Sequence, residues 1–537
     1  MPSTHDVVIR GGTLYDGSGR APIPGDVAID GDRIAAVGRV TARGATELDA
    51  RGMAVAPGFI NMLSWATDAL FADGRSQSDI RQGVTLEIFG EGWSLGPLNE
   101  RMRRQRTAEQ GDIKYDITWT TLLEALETLA ARGISTNIAS FVGATTVRMH
   151  EVGEDDRAPT AQELARMRAL VDRAMRDGAL GVGSSLIYAP AAYATTDELV
   201  ALCEAAAPYG GMYISHLRSE GARLLEAIDE LIDIARRAHV PAEIYHLKQA
   251  GQRNWPKLDG AIERVERARS QGLAITADMY PYEAGATGLN ACFPPWAHDG
   301  GPDALHARLR DATDRARIRD EMSRPATSWE NLYDAAGGPD GILVVSFKSE
   351  RLKPFTGKTL AAIARERGGD PRDVAMDLVA EDESRVGMIV FMGAKANLVR
   401  EAALPWMSFG SDAGSLAPEG VFLRSQPHPR AYGTFARVLG RYVREEHAMP
   451  LAEAVRRMTS FPAANLKLAH RGSLAPGFFG DVVVFDSETI ADRATYERPH
   501  QYATGVRHVL VNGTPVLRDG EHTDARPGRV VRGPGAR

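Results

Sequence analysis

Four apolar runs in the middle of this chain each end in a side chain able to bind a metal or move a proton. "YISHLR" ends in His216, "IYHLKQ" in His246, "ITADMY" in Asp278 and "SFGSDAG" in Asp412. A lone histidine after an apolar run is usually structural, and a loop cap or a turn would account for Asp278 or Asp412. Two histidines one strand–helix unit apart are harder to dismiss. Adjacent parallel strands lie about 4.8 Å apart, so imidazoles at consecutive strand ends can reach one ion. An ion of this kind beside a carboxylate that can take a proton is the equipment of a hydrolase.

For these side chains to meet, their strands must be neighbours in one sheet with their ends on one side. The pattern around them is suited to this. "TAQELARMRALVDRAMRDG" opens with Thr160 and Glu163 as a capping box, places Leu164, Met167, Val171 and Met175 on one face, and closes at Gly178. Strand and helix then alternate at a period near 30 residues, which is the pattern of parallel βαβ units. Eight candidate strands end near Leu63, Phe89, Val142, Leu186, His216, His246, Asp278 and Asp412. The expectation is an α/β fold, a (β/α)₈ barrel over 57–469 with catalytic groups at the C-terminal ends of its strands. A Gly/Pro-bounded stretch at about 284–345 is large enough to be an inserted lid, and another lies at 413–430. Both chain ends instead show short alternating strands with turns at Asp30-Gly31 and Asn512-Gly513. Residues 1–56 and 470–537 are therefore expected to build one small β-sandwich domain, since such strands are not stable alone.

Composition narrows the partners. The 537 residues carry a net charge of −7 with no basic stripe, which excludes a nucleic-acid partner. The two cysteines, Cys203 and Cys292, are too few for a disulfide framework or a thiolate zinc cluster. No signal peptide opens the chain and no run is long enough for a membrane span, so the expectation is a cytoplasmic enzyme with a small-molecule substrate. Nor is there a heptad pattern to indicate self-pairing.

The chain resembles the N-acyl-D-amino-acid deacylases, the D-aminoacylase branch of the amidohydrolase superfamily. The blocks that carry the likeness include "DVVIRGGTLYDGSG", "VAPGFI", "YISHLRSEG", "YHLKQAG", "DMYPYEAGATGL", "GSDAG", "HPRAYGTFARVLGRYVRE" and "MTSFPAANLKLAHRGSLAPGFFGDVVVFD". The resemblance implies a barrel with a β-sandwich and a zinc site in which His216 and His246 hold the working ion with a cysteine. Two departures follow. The family's His-x-His pair is replaced by Leu63 and Trp65, after Asn61, and the turn that would carry the cysteine reads "GEGWSLGP". Both losses are consistent with a single Zn²⁺, with Glu91 supplying a carboxylate oxygen as third ligand and Leu63 and Trp65 filling the second position, where Trp65 could line the pocket. A solvated turn residue is the equal alternative for Glu91. Asp412 matches the family's general acid/base. By the same resemblance Tyr188 and Lys248 would meet a substrate α-carboxylate, and Tyr280 or Tyr282 would stabilise the oxyanion. Arg430 could add a bidentate contact, and His428 could donate to the pocket. The reaction implied is hydrolysis of an amide in an N-acyl-D-amino acid or D-residue peptide. Cyclic-amide hydrolysis or D-aminopeptidase action on the same site is the alternative, and a metal-free binding protein is a further one.

Overall fold

A computed structural model describes residues 4–325 and 327–536. Eight parallel strands form the barrel: Phe59–Asn61, Val84–Phe89, Asn137–Ser140 continued by Val142–Gly143, Gly181–Ser185, Met212–His216, Ala242–Ile244, Ile275–Met279 and Met407–Phe409. Neighbours pair in parallel register from the third strand to the eighth, and the first three pair likewise. The ring closes where the Met62 amide donates to Phe409 and the Asp412 amide to Leu63, at 3.2 and 2.8 Å. Every strand read from the sequence is present, and the ends that carry His216, His246 and Asp412 come to one side.

Local signals fix the surrounding helices. Thr160 and Glu163 form a complete capping box on helix Ala161–Asp177, which buries Met167, Val171 and Met175 and stops at Gly178 with φ 107°. That left-handed conformation favours glycine, so the helix ends where the sequence indicates.

The inserted segment is longer than its Gly/Pro boundaries suggest. Strand Gly387–Phe391 lies between Ala284–Gly288 and Ile342–Ser346, so the module runs from Ala284 to Phe391 rather than stopping near 345. It has its own core, including Phe293, Ile318, Leu360 and Met388. Pairing between strands some 100 residues apart leaves no trace in local periodicity.

Strands from the two chain ends join in one hydrogen-bonded nine-stranded sheet, in which Ala54–Pro57 pairs antiparallel with Val482–Phe485. The last stretch departs from the expected boundary. The Ile138 amide donates to the carbonyl of Arg529 and Val531 donates back to Ile138, so the tail lies along the barrel rather than in that sheet.

The barrel interior contains buried acids. Glu243, on the sixth strand, is fully buried and accepts hydrogen bonds from the hydroxyls of Thr276 and Ser408. Burial pushes its carboxyl from 4.5 up to about 7, against the opposing effect of those hydroxyls. A carboxyl raised in the folded state stabilises fully below its unfolded value and loses that contribution as pH rises through 7. Glu243→Gln is therefore expected to lose less stability than the native chain between pH 5 and pH 8. Unfolding curves at the two pH values measure the difference.

Candidate metal centre

Three side chains from three strand ends converge on one point. His216 terminates the fifth strand, His246 follows the sixth, and Glu91 stands in the turn after the second. All three are buried. Glu91 Oε1 lies 3.0 Å from His216 Nδ1 and 2.9 Å from His246 Nε2, and the two nitrogens are 3.1 Å apart. Zn²⁺ binds nitrogen and carboxylate oxygen at about 2.0–2.2 Å, so its tetrahedral ligands sit roughly 3.3 Å from one another. The observed triangle has nearly that edge. The spacing fits a cation held among the three; without one, the imidazoles are charged and donate to Glu91 Oε1. Glu91 is also no solvated turn residue. Burial alone would raise its carboxyl, yet the charges of His246 and His216 hold it well below the ordinary carboxylate range.

The turn geometry explains how Glu91 gets there. Gly90 and Gly92 flank it at φ 109° and 68°, and a Cβ on either would strike the backbone or side chains of the next strands at 2.5 Å. Glycines alone let this turn fold flat against the barrel rim.

Asp412 and Trp65 stand against this triangle. The Trp65 indole N–H donates to Glu91 Oε2 at 2.9 Å and to Asp412 Oδ1 at 3.1 Å. Arg430 contacts Asp412 Oδ2 at 2.8 Å. Burial raises the Asp412 carboxyl, partly offset by Arg430. Both Asp412 and His246 are held at positive φ, 49° and 33°. Non-glycine residues in this region carry strain, which clusters where function demands a fixed side-chain direction.

A family model described as the amidohydrolase family matches residues 46–517. The chain belongs to the amidohydrolase family. A D-aminoacylase of Alcaligenes xylosoxydans xylosoxydans is 34% identical over 98% of this chain and 97% of its own length. An N-acyl-D-aspartate deacylase of the same organism is 33% identical over 99% and 95%. Among solved structures, the N-acyl-D-glutamate deacylase of Bordetella bronchiseptica, complexed with zinc and a phosphonate mimic of the tetrahedral intermediate, superposes with a TM-score of 0.81. It shares 30% identity and covers 99% of this chain and 100% of that one.

Within this amidohydrolase the other expected residues divide into two groups. Around the triangle stand Tyr188, whose ring is edge-on to His216 at 5.3 Å, and Tyr280, whose ring lies 6.1 Å from that of His246. Lys248 is near too, but paired: its ammonium donates to Glu220 Oε1 at 2.6 Å. The second group faces elsewhere. Arg430 is turned to Asp412, although its Nε and Nη1 make no hydrogen bond among the described residues. Tyr282 turns its hydroxyl toward Asp492, 3.5 Å away, with Arg437 over its ring, so it is a wall and not an oxyanion donor. His428 donates from Nε2 to the carbonyl of Ala284 and accepts at Nδ1 from the Arg430 amide, which leaves nothing for the pocket. Asp278 accepts from the His246 amide at 2.7 Å and so clamps that strained backbone from outside the triangle. Leu63 is fully buried behind the site, and Asn61 donates to Asp79 and Ser411.

Two residues were not legible from sequence. Glu220 Oε1 lies 3.1 Å from His246 Nδ1, which Lys248 Nζ also meets at 2.6 Å; a carboxylate so placed is of the kind that orients an imidazole for a metal. Burial opposes its charge, but His216 and Lys248 hold it below the usual carboxylate range. Its spacing of four from His216, in "HLRSE", is the only signal that could have found it. Arg385 comes from the inserted module and has none. Its guanidinium lies 5.5 Å from the Tyr188 ring and donates to the Thr287 hydroxyl at 3.2 Å. Among the described residues it has no ion-pair partner.

No described helix is long and apolar enough to cross a membrane.

Proposed function

We propose that this chain hydrolyses the amide of N-acyl-D-amino acids carrying a free α-carboxylate, using one Zn²⁺ held by Glu91, His216 and His246. The observation that carries the reading is the convergence of those three donor atoms within 3.1 Å beside the half-buried carboxylate of Asp412. The named activities of the full-length relatives support it. Zinc there supplies Lewis acidity, polarising the amide carbonyl and acidifying water. Asp412 takes the proton that water loses on attacking the carbonyl carbon and returns it to the nitrogen as the C–N bond breaks, leaving a carboxylate and a free amine. Tyr280, with the cations of Arg430 and Lys248 against its ring at 4.4 and 5.5 Å, is the hydroxyl offered to the carbonyl oxygen.

The substrate carboxylate has three donors near it. Burial and the Glu91 charge raise the Tyr188 phenol, so it stays protonated and donates. Lys248 gives one proton to Glu220, lies 2.6 Å from His246 Nδ1, and has one more to offer. Arg385 brings a planar fork suited to a carboxylate.

The test is a panel of N-acetyl-D-amino acids, their L-enantiomers, hydantoins and D-containing dipeptides, run on zinc-loaded protein. N-Acetyl-D-amino acids are expected to turn over fastest, and faster hydrolysis of hydantoins or dipeptides would overturn the reading. In the same panel Arg385→Ala is expected to raise KM for the free acids about 10–100-fold, as loss of a charged pair does, and to leave the corresponding α-amides unaffected.

A further inference from the structure

The sequence expectation for Trp65 is a ring that fills space, but its placement is polar. Two carboxylates, the buried Glu91 and the half-buried Asp412, point one oxygen each at the same spot, Oε2 from one and Oδ1 from the other. Two converging anionic oxygens in a buried site ordinarily require a cation between them. Here the spot is filled by a neutral N–H that donates to both. Elsewhere these carboxylates are differently engaged, Glu91 Oε1 by the histidines and Asp412 Oδ2 by Arg430. Each oxygen of each carboxylate is therefore already engaged. The indole body is 39% exposed, so it is not held in place by burial as Leu63 is.

Resting on the single-zinc reading above, we propose that the Trp65 indole N–H is a positioning element standing where a second cation would bridge Glu91 and Asp412. It ties the ligand carboxylate to the proton acceptor, so that Glu91 binds its ion through Oε1 alone and Asp412 is held at a set distance from that ion. It also restricts the centre to one ion, because the gap between the two carboxylates is occupied. An indole suits this role, having one donor, no acceptor and no lone pair for a metal.

Two variants separate positioning from packing. Trp65→Phe keeps an aromatic ring and removes the N–H. It is expected to bind one equivalent of zinc about tenfold more weakly in chelator competition, and to lower kcat about 10–100-fold while KM stays within about twofold. Trp65→Ala opens the gap and is expected to take up a second, weaker equivalent of zinc in equilibrium dialysis, where the native chain saturates at one. Circular dichroism and thermal melts check that both remain folded. Native zinc affinity and native kcat in Trp65→Phe would reduce the residue to a wall, and a native chain that binds two equivalents would overturn the exclusion. The zinc measurements need no substrate. They remain decisive even if the chain proves inactive on every N-acyl-D-amino acid, an outcome that would count against the proposed function alone.

Discussion

Asp412→Asn is expected to lower kcat about 10²–10⁴-fold while zinc content stays at the native level. That is the range over which a positioned proton acceptor contributes to a reaction, and asparagine cannot accept the proton at neutral pH. The substitution is nearly isosteric, and asparagine tolerates a φ of 49° as aspartate does, so the loop has no reason to move. The amide oxygen can still accept from Trp65 or Arg430, which now hold a neutral group. KM should change little, because nothing in the arrangement has Asp412 binding the substrate carboxylate. Single-turnover kinetics with metal analysis of the same sample makes the measurement. More than a tenth of native kcat would mean that another group takes the proton.

Glu91→Ala is expected to abolish stable zinc binding and activity together. Removing it leaves two imidazoles for the ion and takes away the charge that holds His246 in place. It also leaves the Trp65 N–H with only Asp412. Altering even the outer partners of metal ligands costs about 10–100-fold in affinity, so loss of a ligand itself should cost more than about 100-fold. Protein purified without added metal should then contain well under one equivalent. Glu91→Cys, which offers a thiolate at about 2.3 Å from zinc, is the variant expected to retain the ion. Full zinc occupancy and native rate in Glu91→Ala would remove Glu91 from the centre.

Different parts of this protein are legible in its sequence to different degrees. Histidines at the ends of two apolar runs, one βα unit apart, mark the site because strand spacing converts sequence period into distance. The eight-strand count comes from the same regularity, and the capping box at Thr160 and Glu163 places a helix start to the residue. What escapes is anything set by contacts far apart in the chain. The inserted module looks complete near 345 because its closing strand, Gly387–Phe391, pairs back to Ala284–Gly288. Arg430 reads in the sequence as a guanidinium near the site, and only the fold shows it turned to Asp412. Tyr280 and Tyr282 are indistinguishable as letters, and only packing turns one toward His246 and the other toward Asp492.

By itself, then, the sequence determined the barrel, the family, and the chemistry available at its rim: two imidazoles and an aspartate at strand ends. Tertiary structure alone decided that Glu91 completes the triangle, that Glu220 stands against His246, that Arg385 approaches Tyr188 from a distant module, and that Trp65 links Glu91 to Asp412. The reason is physical. Local propensity and periodicity act over a few residues and survive in the sequence as patterns. Side-chain convergence depends on where long intervening stretches return the backbone, and no short pattern encodes that.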